Sequence, residues 1–261
     1  MELVERLEQL AAELAAFSCW PRTLVADLVL FALANDVFES GKAVHQMANS
    51  ALPHKAYSNA RLAFEGAQHA LVLSTHEDYV GAGALAWVYF ESNDASWRAK
   101  FERQKNAHPS NPTADQWLDT RVDEMASIWD SVAAGQGKLL LQALLRVRQQ
   151  RKKRPDNWLH ENMIPRQQRA YEIFAENGGT SAFAETAELN QGIYQVLCRE
   201  THARPRLDTF SVIHDQARDT IRLQVKARNP EQARHAVTNG TELSISETAA
   251  ALRWRRTGAA R

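Results

Sequence analysis

The feature that most limits what this chain can fold into is the return of apolar residues at steps of three and four, in long runs broken by proline and glycine. Leu3, Leu7, Leu10, Leu14 and Phe17 keep that step, which places one apolar stripe along a helix. Trp20-Pro21 ends it. Thr23 is a candidate cap for "TLVADLVLFALANDVFESGKAVHQMANS", which is apolar around most of its circumference at first and predicts a central, buried helix. Pro53 separates this from a helix over 55–75, and a further helix is predicted over 78–104. The proline-containing loop "NAHPSNPT" follows. Thr113 is placed to cap the next helix, which Gly135 and Gly137 weaken and divide before Pro155 ends it. Helices are predicted over 163–177, closed by Gly178-Gly179, and over 181–202, stopped by Arg204-Pro205. Beyond Pro205 the pattern loosens. "TIRLQVKA" fits a short strand or a helical turn, and "NPEQARHAVTNGTELSISETAAALRWRR" reads as a helix broken near Asn239-Gly240, ahead of a frayed tail.

Long helical patterns, short connections and almost no strand signal predict an all-α protein: a single helical bundle of about seven to nine helices, with little or no sheet. An N-terminal helical part, 1–154, and a C-terminal part, 155–255, meet at "RKKRPDN". Amphipathic helices on both sides each need a partner, so one domain is expected. With 261 residues, 44% of them hydrophobic, the chain can bury a large core. Lys plus Arg and Asp plus Glu are 31 each. That balance removes any global pull toward nucleic acid or anionic lipid and leaves only local patches. The two cysteines, Cys19 and Cys198, are too few for a disulfide framework and read as buried thiols. The opening residues carry acids where a secretory signal needs a basic start, and no apolar run reaches bilayer length. A cytoplasmic protein without a membrane span is expected.

Chemistry could reside in three places. In "SNARLAFEGAQHA", Arg61, Glu65 and His69 fall within about 80° of one another on a helix. Ser58 and His76 join that stripe, and Leu62, Phe64, Leu71 and Leu73 occupy the other side. Such a ladder is either a solvated face with an i,i+4 ion pair, or one wall of a polar cleft in which Arg and His hold a phosphate and move a proton. In "LCRETHARPR", Arg199 and His202 share a polar side with Glu188 and Gln195, opposite Leu189, Ile193, Val196 and Leu197. Positive charge at a helix C-terminus suits the dipole without any function. Glu200 points instead along the apolar side, and a carboxylate aimed at a core must find a cation or donors; Arg61 is one candidate. The third place is "RVRQQRKKR". Arg148, Arg151, Lys152 and Arg154, with Arg146 and Lys153, form the densest positive patch. It reads as a solvated helix end or as a weak, salt-sensitive phosphate contact helped by Trp158.

Metal and cofactor sites are not expected. There is no His-Glu-x-x-His, no paired Cys-x-x-Cys and no phosphate-binding glycine loop. Gly81 and Gly83 lie in an apolar helix, where close helix packing explains them, and most of the tryptophans fall on core phases.

The motifs "NARLAFEGAQHALVL" and "YQVLCRETHARP" resemble those of the bacterial domain-of-unknown-function family DUF5677. That family pairs an early Ala-Arg-x-x-x-Glu helix with a later Tyr-x-x-x-Ser/Cys-x-x-x-His-x-x-Pro helix end. The matching positions are Arg61, Glu65, Tyr194, Cys198, His202 and Pro205. The resemblance covers about residues 20–255 and implies an all-helical fold, with no activity attached. More distantly, the layout resembles the HEPN superfamily of helical nucleases and nucleotide-binding proteins. Those nucleases carry Arg, four to six residues, then His; here Arg61 to His69 is wider and Arg199 to His202 tighter.

Two functions follow as expectations. One is a binding or interaction module, its Arg61, Glu65, Glu200 and His202 forming a buried network that fixes helix register, with a protein partner, a homodimer or a small ligand as its target. The other is a metal-independent ribonuclease or nucleotide-processing protein of a toxin or defence type. There His202 would serve as acid or base, Arg61 or Arg199 would stabilise charge on the phosphate, and Glu65 or Glu200 would orient them. Both expect the two motifs to meet in space.

Overall fold

The computed structural model describes residues 3–18, 24–50, 53–105, 108, 110–151, 163–176, 192–197, 210–215, 220–225 and 229–257. The stripe Leu3, Leu7, Leu10, Leu14, Phe17 forms α1, Leu3–Ser18, and is buried along its whole length. The apolar run after it forms α2, Val25–Ala48. A 3-10 turn, Pro53–Ala56, leads into α3, Tyr57–Thr75, and α4 spans Tyr79–Lys105. Then come α5, Ala114–Val132, α6, Gln136–Arg151, and α7, Met163–Glu176. Helical residues 192–197 make α8. The last helix, α9, is Pro230–Thr257.

The predicted punctuation has visible causes. Thr113 caps α5 in a reciprocal box: its hydroxyl accepts the Gln116 N–H at 3.2 Å, and the Gln116 side chain accepts the Thr113 N–H at 2.8 Å. Gly135 adopts φ 90° between α5 and α6, a conformation that residues with a Cβ rarely reach, so the predicted division falls there. Asp130 Oδ1 holds the turn by accepting the Gly135 and Gly137 N–H groups at 3.1 and 2.8 Å. At Gly83 a Cβ would overlap Ala26 of α2, so the glycine permits the close helix crossing expected of it. Gly81, by contrast, faces the Asp78 side chain and not a neighbouring helix.

In the core, α2, α3 and α9 pack on one another, and α1 packs on α2 and α9. The amino- and carboxyl-terminal helices thus share one apolar interior that includes Leu10, Leu30, Leu73, Ile245 and Leu252. Each such side chain contributes about 1.5–3 kcal/mol by leaving water. On the far side of α2, α4 carries the α5–α6 pair, while α7 packs on α3. The α9 face in this interior is rich in small hydroxylated residues. Thr241, Ser244 and Thr248 are fully buried, and each hydroxyl donates to the carbonyl four residues back, at 2.7, 2.7 and 2.8 Å. That satisfies them without a partner helix and keeps α9 slim.

Four expectations need correction or completion. α9 runs unbroken through Asn239-Gly240, because Gly240 is where Ile193 and Leu197 of α8 press against it; a Cβ there would sit 3.1 Å from Ile193. "TIRLQVKA" resolves as a strand: β2, Thr220–Val225, pairs antiparallel with β1, Phe210–Asp215, Phe210 opposite Val225 and Asp215 opposite Thr220. That hairpin is the sheet found among the described residues, in an otherwise helical fold. Leu62 and Val196, assigned to apolar faces, are 57% and 45% exposed, since no helix among the described residues covers that edge of α3 and α8. Trp97 departs furthest from its expected core position, at 70% exposed.

Candidate functional site

Arg61 Nε donates to Glu65 Oε1 at 2.8 Å along α3, and the Tyr194 hydroxyl of α8 donates to the same oxygen at 3.2 Å. The Tyr194 ring stacks on Phe64 at 5.6 Å, with the Arg61 guanidinium 6.0 Å from its centroid. Two segments about 130 residues apart in the chain are therefore joined through Arg61, Glu65 and Tyr194, three positions on which the motif resemblance rests. The joint is open to water: the Arg61 and Glu65 side chains retain 27% and 34% exposure. Cys198, Arg199, Glu200 and His202 lie outside the described residues, as do Lys152, Arg154 and Trp158. Of the expected four-residue network, Arg61 and Glu65 fall among the described residues, and that pair is partly open to water.

His69 shares the α3 stripe but is drawn inward, its ring edge-on to Phe90 at 5.9 Å. Burial holds its pKa below the ordinary histidine value, with the nearby Glu65 carboxylate opposing in part. Ser58 is exposed, and His76 turns to the α3–α4 corner, where its Nδ1 accepts the Asp78 N–H at 3.1 Å. Arg148 is bound to Asp119 of α5, so its charge is already used within the fold. Arg151 closes α6.

Sequence reasoning passed over a second polar cluster on α3. Gln68, 4% exposed, lies one position from His69 on the inner face. Its Nε2 donates to Glu247 Oε2 of α9 at 2.9 Å and to the Tyr171 hydroxyl of α7 at 3.2 Å. Tyr171 donates to Glu247 Oε1 at 2.6 Å. Glu247 is fully buried, and its carboxylate is tolerated because donors from two other helices meet it. The available signal was an acid inside "SISETAAAL", a run otherwise small or apolar. A related bond joins α2 and α4: the Tyr79 hydroxyl donates to buried Asp27 at 2.7 Å, while the Arg255 guanidinium lies 3.4 Å from the Tyr79 ring centroid. Burial, reinforced by the Asp27 charge, pushes the Tyr79 hydroxyl far above the usual phenol range.

A concavity of substantial size lies elsewhere. A trough of about 810 Å³ opens between α2, α4 and α5. Trp87, Phe90 and Leu118 give it an apolar and aromatic interior, and Leu28, Ala32 and Asp36 form its α2 wall. Its charged rim is mostly paired: Arg98 donates to Asp94 at 2.6 Å, and Arg121 stands 3.6 Å from both Glu91 and Glu124. Asp36 has no hydrogen bond or ion pair among the described residues. Partial burial by the walls around it raises its carboxyl above its ordinary value. Neither this trough nor a smaller cleft of about 280 Å³, lined by His76, Arg146 and Arg166, includes Arg61, Glu65 or Tyr194.

Among the described residues no group of three or more His, Cys, Asp or Glu is arranged to hold a metal ion, and no helix is long and apolar enough to cross a membrane. No protein-family model, curated protein or solved structure matches the chain.

Proposed function

We propose that this protein is a non-catalytic interaction module whose receptor is the trough between α2, α4 and α5. The observation that carries this reading is the combination found there: a concavity of about 810 Å³ with tryptophan and phenylalanine inside and paired charges at its edge. An apolar centre inside a polar rim is the anatomy of a docking site. Arg61, Glu65 and Tyr194 have a supporting task on this reading. They tie α8 to α3, and their half-exposed position outside both cavities offers a substrate no enclosure from water.

Uptake of Nile red, a neutral dye that fluoresces in apolar surroundings, tests the receptor. The wild-type protein is expected to light the dye, and Ala32→Trp, which fills the trough from its exposed α2 wall, is expected to abolish the signal while leaving the circular dichroism unchanged. Equal fluorescence from both would remove the trough from consideration. In parallel, purified protein is expected to leave RNA intact. Cleavage that persists in EDTA and disappears in His202→Ala would replace the module with the nuclease.

A further inference from the structure

The trough continues into a projecting edge of the same helix. Phe90, Asp94, Trp97 and Phe101 fall within an arc of about 60° on α4 and extend for about 16 Å. Phe90 lines the trough, whereas Trp97 and Phe101 stand clear of the body at 70% and 61% exposure. Single exposed apolar residues are common on protein surfaces, but a tryptophan and a phenylalanine one turn apart, in line with an aromatic hollow, are not scattered. One face of the chain therefore carries both two projecting rings and a cavity of the chemistry that would receive them.

We infer that the occupant of the trough is a second copy of this chain, each copy laying Trp97 and Phe101 into the other's hollow about a two-fold axis. This rests on the trough being the receptor and specifies its partner. A two-fold makes every contact twice and closes on itself, as a self-complementary patch requires. With the two α4 helices antiparallel and the axis between Ala95 and Ser96, Phe101 falls level with Phe90 of the other copy, and Trp97 level with its Asp94. The charges suit the same arrangement. Arg98 and Asp94 lie on one flank of the stripe, so the crossing brings Arg98 beside Asp94 of the other copy. Each carboxylate then meets two guanidinium groups, which offset the approach of the two Asp94 side chains across the axis. The four rings together remove roughly 500 Å² from water, and the hollow that receives them a comparable area, which reaches the approximately 1,000 Å² needed by a specific interface.

Sedimentation equilibrium of the full chain from 1 to 100 µM tests the inference. The wild type is expected to dimerise. A Trp97→Ser/Phe101→Ser double variant, which alters only exposed positions, and Ala32→Trp are each expected to raise the dimer Kd at least about tenfold, with unchanged circular dichroism. Mixing the two variants is the decisive arm. The first retains the hollow and the second retains the rings, so the mixture should recover a heterodimer through one of its two contacts. A wild type that stays monomeric at 100 µM overturns the inference, and so does a dimer that survives both changes. A monomer that still takes up Nile red, losing it in Ala32→Trp, would sink the second copy as occupant and leave the interaction module standing with another partner.

Discussion

Two polar clusters on one helix, α3, make an instructive pair. Arg61 and Glu65 lie on the outer edge and meet Tyr194 while still in contact with water. One turn further on, Gln68 points into the core and meets Tyr171 and a fully buried Glu247. The outer cluster carries full charges and looks stronger on paper. The inner one is expected to matter more, because solvent competes with the first and cannot reach the second. The strength of a polar contact in this protein is set by where the helices close, not by the formal charge of its members.

Glu247→Ala leaves the Tyr171 hydroxyl without its acceptor, removes one of the two acceptors of the Gln68 amide and leaves a cavity; a loss of about 3 kcal/mol is expected in urea unfolding. A loss below about 1 kcal/mol would mean the cluster is not sealed. Tyr171→Phe removes one donor to the carboxylate and should cost about 2 kcal/mol by the same measurement. Arg61→Ala should cost only about 0.5 kcal/mol, since Glu65 can turn to water. A penalty matching that of Glu247→Ala would show the outer cluster to be as important as the inner.

The smallest effect concerns His69, which lies between the two clusters. The folded state holds its pKa below the ordinary value, so the unfolded chain binds the proton more readily. Its contribution to stability is therefore complete above about pH 6.5 and declines as the pH falls below that. His69→Gln should flatten the stability profile between pH 7 and 5. A parallel profile for variant and wild type would place the histidine in water.

Much of the fold was legible. The α1 stripe, the Thr113 cap and the glycine division between α5 and α6 are local matters, decided by helical periodicity, one hydroxyl and one backbone angle. Gly240 misled because a helix-weakening residue and a residue that admits a neighbouring helix look alike in one dimension. The α3 stripe was legible as a polar direction, whereas the bond from Tyr194 to Glu65 was not, because it depends on where α8 crosses α3. The inner cluster was not, because Gln68, Tyr171 and Glu247 are 103, 179 and 76 positions apart pairwise and none carries a spacing that announces the others.

By itself, then, the order of residues determined where most of the described helices begin and end and the main apolar stripe of helices such as α1, since those depend on neighbours within a turn or two. Only the tertiary structure decided which polar groups are sealed, that Trp97 projects, and that α2, α4 and α5 leave a trough between them. Burial is a property of how helices cross, and a crossing is settled jointly by side chains that are distant along the chain.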